Sequence, residues 1–160
     1  MKLDPIDLAL LDLLQRDGRM PNVQLARRVH LSESACLRRV RALEEAGVIT
    51  GYRATVDARR VGLPENVFVS IALARQDQAD LDAFERAVRD VPEVMECYLM
   101  TGEFDYLLRV VVSDATDYER VHRQHLTALP AVARVHSSFA LRVVHEGPGL
   151  PLHRDRPDDA

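Results

Sequence analysis

The chain has 160 residues, 47% of them apolar and 29% charged, which excludes a disordered polyelectrolyte and suits one medium or two small globular domains. Its formal net charge of -4 would argue against nucleic acid if averaged over the chain, but residues 1–60 hold eleven Lys or Arg against eight Asp or Glu, and residues 61–160 hold ten against seventeen. A basic first part joined to an acidic second part points to a nucleic-acid-facing element and a separate element with another task.

The first predicted helix opens with Asp4 as N-cap and Pro5 at the first helical position, the favoured order for a helix start. Ile6, Leu10, Leu13 and Leu14 then share one stripe, and Asp17-Gly18 should end the helix with glycine in the left-handed conformation. Asp4 and Asp7 also interrupt any apolar core of a signal peptide, so the expected location is cytoplasmic. A second helix over Asn22–Val29 turns Val23, Leu25, Ala26 and Val29 inward and Arg27 and Arg28 outward. After the short His30-Leu31-Ser32 turn, a third helix runs to Ala46 and closes at Gly47. Its expected inward positions are Leu37, Val40, Leu43 and Ala46. Three helices with a tight turn between the second and third form a helix-turn-helix.

Val48-Ile49 and Gly51–Val56 read as short strands of a wing or hinge, and 57–66 as a linker. From Val67 the pattern becomes strand-like, in an apolar run far too short to span a bilayer; no membrane association is expected. The segments 67–75, 77–91, 93–102, 104–112, 114–129 and 132–144 follow as strand, helix, strand, strand, helix, strand. That order is βαββαβ, the ferredoxin-like arrangement. Two helices would cover one face of its four-stranded sheet, and a second copy of the domain is the cheapest cover for the other. The expected division is 1–56, 57–66, 67–146 and a coiled tail over 147–160, within which Leu150-Pro151-Leu152 could dock and the last residues would be disordered. Cys36 and Cys97 have no metal-ligand spacing and read as small packed side chains.

On the third helix Ser34, Arg38, Arg41 and Glu45 recur at four, three and four residues and share a face, with Arg39 beside it. The N-terminal part of such a helix enters the major groove, so Ser34, Ala35 and Arg38 are the candidates to reach base edges. Arginine suits that task because its planar fork can grip two guanine acceptors or a phosphate without losing charge. Arg27, Arg28, Arg39 and Arg41 read as phosphate contacts, and Asn22 and Ser32 complete the candidate interface. The competing assignment is a solvated face paired with Glu44 and Glu45; the capped three-helix setting and the local positive charge favour double-stranded DNA.

These residues resemble the Lrp/AsnC, or feast/famine, family of transcription regulators. The likeness spans Leu3–Leu152 and rests on "LDPIDLALLDLLQRDGR", "NVQLARRVHLSESACLRRVRALEEAGVITGY" and "VPEVMECYLMTGEFDYLLRVVV". It implies an α+β chain: an N-terminal winged helix-turn-helix followed by a ferredoxin-like effector-binding domain. It further implies homodimers that assemble into octamers, a pseudo-palindromic operator, and a small effector, usually an amino acid, with no other cofactor or metal. The family's effector loop falls on Gly102-Glu103-Phe104-Asp105, where Glu103 replaces a customary aspartate. Gly102 would admit the ligand close to the backbone and Asp105 would take its ammonium group. Tyr98, Met100, Ser137 and Phe139 are the expected remaining walls. Val135 stands where the family commonly has a hydroxyl, which favours an apolar or aromatic effector. Without the family, "TGEFDY" would read simply as a β-turn.

An enzyme alternative comes from a second resemblance, to the siroheme decarboxylases, which share this two-domain plan. His122, His125 and His136, with Arg109, Arg120 and Arg123, are the residues that could serve a tetrapyrrole. The three-residue spacing of His122 and His125 could also suit a metal, although both fit solvated positions of a surface helix. An arginine-bearing third helix favours the non-enzymatic reading.

Overall fold

A computed structural model describes residues 2–152, which form two compact units. One contains the described residues up to Thr55 together with those from Val144; the other spans Val56–Val143.

The first unit is built on α1 (Pro5–Arg16), α2 (Asn22–Arg28) and α3 (Glu33–Glu45). At the start of α1 the Asp7 amide donates to Asp4 (2.9 Å) and the Asp4 amide donates to Asp7 (3.1 Å), a reciprocal capping box that satisfies two otherwise orphaned N–H groups. The helix stops at Asp17, as expected, but Gly18 is not left-handed; Asp17 itself leaves the helix with φ -145° and its amide still reaches Leu13 O. The Ser32 hydroxyl caps α3 by accepting from Ala35 N at 3.2 Å, and Gly47, with φ +69°, closes it. Leu10, Met20, Leu25, Ala26, Cys36 and Val40 make the core. Cys36, Val40 and Leu43 are the inward stripe of α3, whereas Leu37 and Ala46 face solvent. The expected register was therefore off by one residue at the start of the helix and ran one turn too far at its end. A short α2 and a four-residue connection set the angle at which α3 meets the core, which local spacing does not reveal.

The helix-turn-helix turn holds His30 at φ +55°, an uncommon conformation for a residue with a Cβ. Leu31 N donates to Ala26 O across it. The strands expected at Val48-Ile49 and Gly51–Val56 do not form; the segment is irregular and largely exposed. A strand needs a neighbour to satisfy its backbone, and the described residues of this unit supply none. Instead Tyr52 OH donates to Glu44 at 2.9 Å, and burial, with Glu44 second, pushes its phenol up to about 12. The described part of the tail belongs to this unit. The Gln15 side chain accepts from Leu150 N (2.6 Å) and donates to Leu150 O (3.2 Å), so the docking expected for Leu150-Pro151-Leu152 is made through the backbone of its first residue. The residues expected to be disordered lie outside the described residues.

The second unit contains β1 (Glu65–Leu73), α4 (Gln78–Val88), β2 (Val94–Leu99), β3 (Tyr106–Val112), α5 (Ala115–Gln124) and β4 (Val132–Phe139). The sheet is antiparallel with strand order β2-β3-β1-β4, the ferredoxin-like topology. Asp77 and Asp114 cap the helices by accepting from Asp80 N and Asp117 N. The expected linker is shorter than 57–66, because Ala58–Val61 makes a 3-10 turn and Glu65 and Asn66 already pair in β1. The last strand ends at Phe139 rather than continuing to Val144. Ala140 N makes the final bond, to Asn66 O, and β1 starts only one residue earlier. Beyond it Leu141 is fully exposed.

Val67, Val69, Ile71 and Leu73 alternate toward the helices, where Phe84 stacks on Tyr106 at 4.3 Å between ring centroids. The opposite face carries Phe68, Tyr98 and Leu107, with Phe68 41% and Tyr98 51% exposed. On that same face Arg109 donates to Asn66 (3.0 Å) and Glu96 (2.9 Å).

Candidate functional site

The expected DNA-facing residues divide into two groups. Ser34, Arg38 and Arg41 lie exposed on one face of α3, and Arg27 and Arg28 are exposed at the end of α2. Among the described residues these four arginines take part in no ion pair. Ala35, expected to reach a base edge, is half-buried and gives its amide to the Ser32 cap. The Asn22 side chain donates to Glu33 O at 2.9 Å and so ties the start of α2 to the start of α3.

Arg39 has a different task from its neighbours. Rather than extending as a phosphate contact, its Nη1 lies 2.7 Å from Asp4 and 2.8 Å from Asp7, the two residues of the α1 capping box. Asp7 is buried at 6% exposure, so its carboxylate needs this cation. The Asp7 amide, followed by Arg39, holds the Asp4 carboxyl below the usual carboxylate range. Arg39 thus clamps α3 onto α1 and fixes the direction in which Arg38 and Arg41 project. The available sequence signal was the acid pair at three-residue spacing on α1 with no basic residue beside it.

The loop after β2 brings together part of the expected effector site. Gly102 has φ +116°, which favours a residue without a Cβ. Met100, Glu103 and Phe104 line an open hollow of about 230 Å³ together with Ser70, Thr101, Tyr106 and Leu107. Tyr98 lies on the same sheet face, paired with Leu107. Three expected members are elsewhere. Asp105 is buried, its carboxylate accepting from Leu73 N (2.7 Å) and Gln76 Nε2 (2.6 Å), so it anchors the end of β1 instead of facing a ligand ammonium. Ser137 hydrogen-bonds Tyr118 of α5, and Phe139 meets the same ring edge-on at 5.3 Å. Both therefore lie on the helix-covered side. Strand side chains alternate with period two, so the β4 residues on the loop's side are Arg134 and His136. Arg134 bonds Glu103 at 2.9 Å and lies 4.9 Å from the centre of the Phe104 ring, which stacks on His136 at 6.2 Å.

A larger open hollow of about 370 Å³ runs between β4 and the end of α5, lined by His122, Thr127 and residues 132–135. His122 lies 6.0 Å from the Tyr118 ring, and His125 caps the C-terminus of α5. Among the described residues no group of three or more His, Cys, Asp or Glu could hold a metal. Arg109 and Arg120 are occupied by carboxylates, Arg120 reaching both Glu93 (2.6 Å) and Asp117 (2.8 Å). Burial pushes the Cys97 thiol up to about 11, which makes it a weak nucleophile.

A capped helix-turn-helix with an unpaired arginine face, on one chain with a ferredoxin-like unit that carries a loop-lined hollow, defines a DNA-binding regulator with a ligand-binding domain. Family models agree with both halves: a winged helix-turn-helix DNA-binding domain matches residues 3–50, and the Lrp/AsnC ligand binding domain matches residues 66–150. The chain belongs to the Lrp/AsnC family of transcriptional regulators. It is similar to the Bkd operon transcriptional regulator of Pseudomonas aeruginosa, with 46% identity over 94% of this chain and 99% of that protein. A leucine-responsive regulatory protein of Rhizobium meliloti is 40% identical over 91% of this chain and 94% of its own length. The structure of a transcriptional regulator from Neisseria meningitidis in complex with L-Met superposes with a TM-score of 0.90, at 36% identity, over 95% of this chain and 98% of the other.

Proposed function

We propose that this regulator acts in the cytoplasm as a homodimer or a ring of dimers that binds a pseudo-palindromic operator, and that its assembly or DNA affinity is set by a small amino acid. The observation that carries the DNA contact is the outward face of α3. Arg38 and Arg41 are held in direction by the Arg39 clamp and have no ion-pair partner among the described residues, so phosphates or base edges are their natural partners. Arg27 and Arg28 extend the same positive surface. The chain works by binding rather than catalysis, in keeping with relatives that are transcriptional regulators.

Self-association is supported by the open sheet face, where Phe68 and Tyr98 lie exposed around an internally neutralised Arg109. A second copy would bury that apolar surface without stranding a charge. The leucine-responsive relative and the L-Met complex of the Neisseria protein support an amino-acid effector with an apolar side chain. Linkage then supplies the mechanism: a ligand that binds one assembly geometry better than another shifts the spacing of the recognition helices, and with it DNA affinity.

Fluorescence anisotropy over a salt series tests the reading, using DNA from upstream of the gene and a scrambled control. Sequence-selective binding with a steep salt slope is expected. Equal affinity for both DNAs at every salt concentration would remove the operator reading for that DNA. Sedimentation of the free protein should show a dimer or larger species; a monomer at micromolar concentration would overturn the proposed cover for the open face.

A further inference from the structure

The effector loop carries an ion pair with a chemical consequence: Glu103 lines the hollow, and Arg134 reaches it from β4, where it also lines the second hollow. Arg134 Nη2 lies 2.9 Å from Glu103, and both side chains are largely exposed, at 57% and 71%. An exposed pair of this kind contributes little to stability, so exchange for another partner costs little. Beneath it Met100, Phe104 and Leu107 give the hollow an apolar floor. The Phe104 ring packs against the Arg134 guanidinium at 4.9 Å and the His136 imidazole at 6.2 Å, contacts that restrain that wall in advance of a ligand. Asp105, the other acid of the loop, is already occupied by Leu73 N and Gln76.

We propose that Arg134 and Glu103 are the zwitterion-reading pair of this site: an α-amino acid inserts between them, its carboxylate taken by the Arg134 fork and its ammonium by Glu103. The inference rests on the loop being the effector site. One weak internal pair is then exchanged for two charge-assisted contacts, and no buried charge is left unpaired. A guanidinium can hold a carboxylate through two parallel bonds, so the carboxylate is the more strictly read end. The hollow of about 230 Å³ below the pair receives the side chain, and its floor selects one of leucine or methionine character over a charged one. Glu103 is one methylene longer than aspartate, a reach that suits a bridge across the rim to β4.

Calorimetric titration of the full chain with L-methionine, L-leucine and L-phenylalanine provides the test, followed by the α-amide and the des-amino acid of whichever binds. Wild type should bind the amide and the des-amino acid about tenfold or more weakly than the amino acid, the loss expected when a charge-assisted contact is removed. Arg134→Gln should bind the amino acid and its amide nearly alike while still rejecting the des-amino acid. Glu103→Gln should do the reverse, and Arg134→Lys should recover part of the carboxylate preference. Gly102→Val separates the two layers of the argument. If it abolishes binding while Arg134→Gln still discriminates as wild type does, the loop reading stands and the pair does not. If Gly102→Val binds normally, or none of the three amino acids binds wild type, both are overturned.

Discussion

The recognition helices and the sheet unit differ in how several of their arginines are used. In the sheet unit Arg75, Arg109, Arg120, Arg123 and Arg134 each have a carboxylate within reach, and four of these five arginines make a bond of 3.0 Å or less. Among the described residues, Arg27, Arg28, Arg38 and Arg41 on α2 and α3 have none, whereas Arg39 is tied inward. An arginine paired at home holds elements together, and its field is cancelled close by. One left unpaired on a rigid helix costs little in water, keeps its field, and is available to an outside anion. The net charge of the whole chain conceals this division, because the acidic excess lies where it neutralises the second unit's own cations.

The division can be challenged by substitution. The largest effect should come from Phe84→Ala, which empties the fully buried position stacked on Tyr106 and should cost about 3–5 kcal/mol. Hydrogen exchange should show the loss in the sheet unit while amides of α1–α3 stay protected; equal loss in both units would mean they unfold as one. Arg38→Ala should next weaken operator binding by about 1–3 kcal/mol and relax preference at one base position. Arg41→Ala should instead weaken binding on every sequence and lower the salt slope by about one unit. If the two variants behave alike, they share a phosphate role.

Arg39→Gln sharpens the comparison from inside the first unit. It should lower the thermal midpoint, because Asp7 loses its cation, and leave the salt slope of DNA binding as in wild type. A slope reduced as in Arg41→Ala would return Arg39 to the phosphate contacts. The clamp also has a pH signature. Asp4 is held below its ordinary 3.8 by the Asp7 amide and by Arg39. Its stabilising effect is therefore complete above that value and lost as pH falls through the lowered pKa. Acid titration of Arg39→Gln should consequently show a smaller loss of stability below about pH 4 than wild type. The smallest effect is expected of His30→Gly, which removes a Cβ from a left-handed turn position. Relief of strain outweighs the added freedom of the unfolded chain, for a gain of about 0.5–1 kcal/mol in chemical denaturation.

Much of the binding face was legible because it depends on short spacings. Ser34, Arg38 and Arg41 share a face by helical period, and Ser32 and Gly47 mark the ends of their helix by capping chemistry. Of the residues expected to hold an effector, Met100, Glu103 and Phe104 line the hollow and Gly102 lies in the same loop, all close together in the chain. Ser137 and Phe139 were assigned to the wrong face because a strand read alone has two equivalent parities. Pairing with β1 puts Val69 opposite Ser137 and Ser70 opposite His136, and that register selects the face.

By itself, then, the sequence determined the helix ends, the βαββαβ order and the basic character of the first unit. Each of these follows from interactions within a few residues, where backbone geometry dictates which side chains meet. Only the tertiary structure decided that Arg39 clamps Asp7, thirty-two residues away, and that Asp105 is occupied by Leu73, also thirty-two residues away. It likewise left Gly51–Val56 without a strand partner among the described residues and placed Arg134 beside Glu103. Contacts at such separations depend on how elements pack and register, and identical local spacing permits several outcomes. Burial then selects among them, because a carboxylate removed from water must find its cation or donor wherever the fold supplies one.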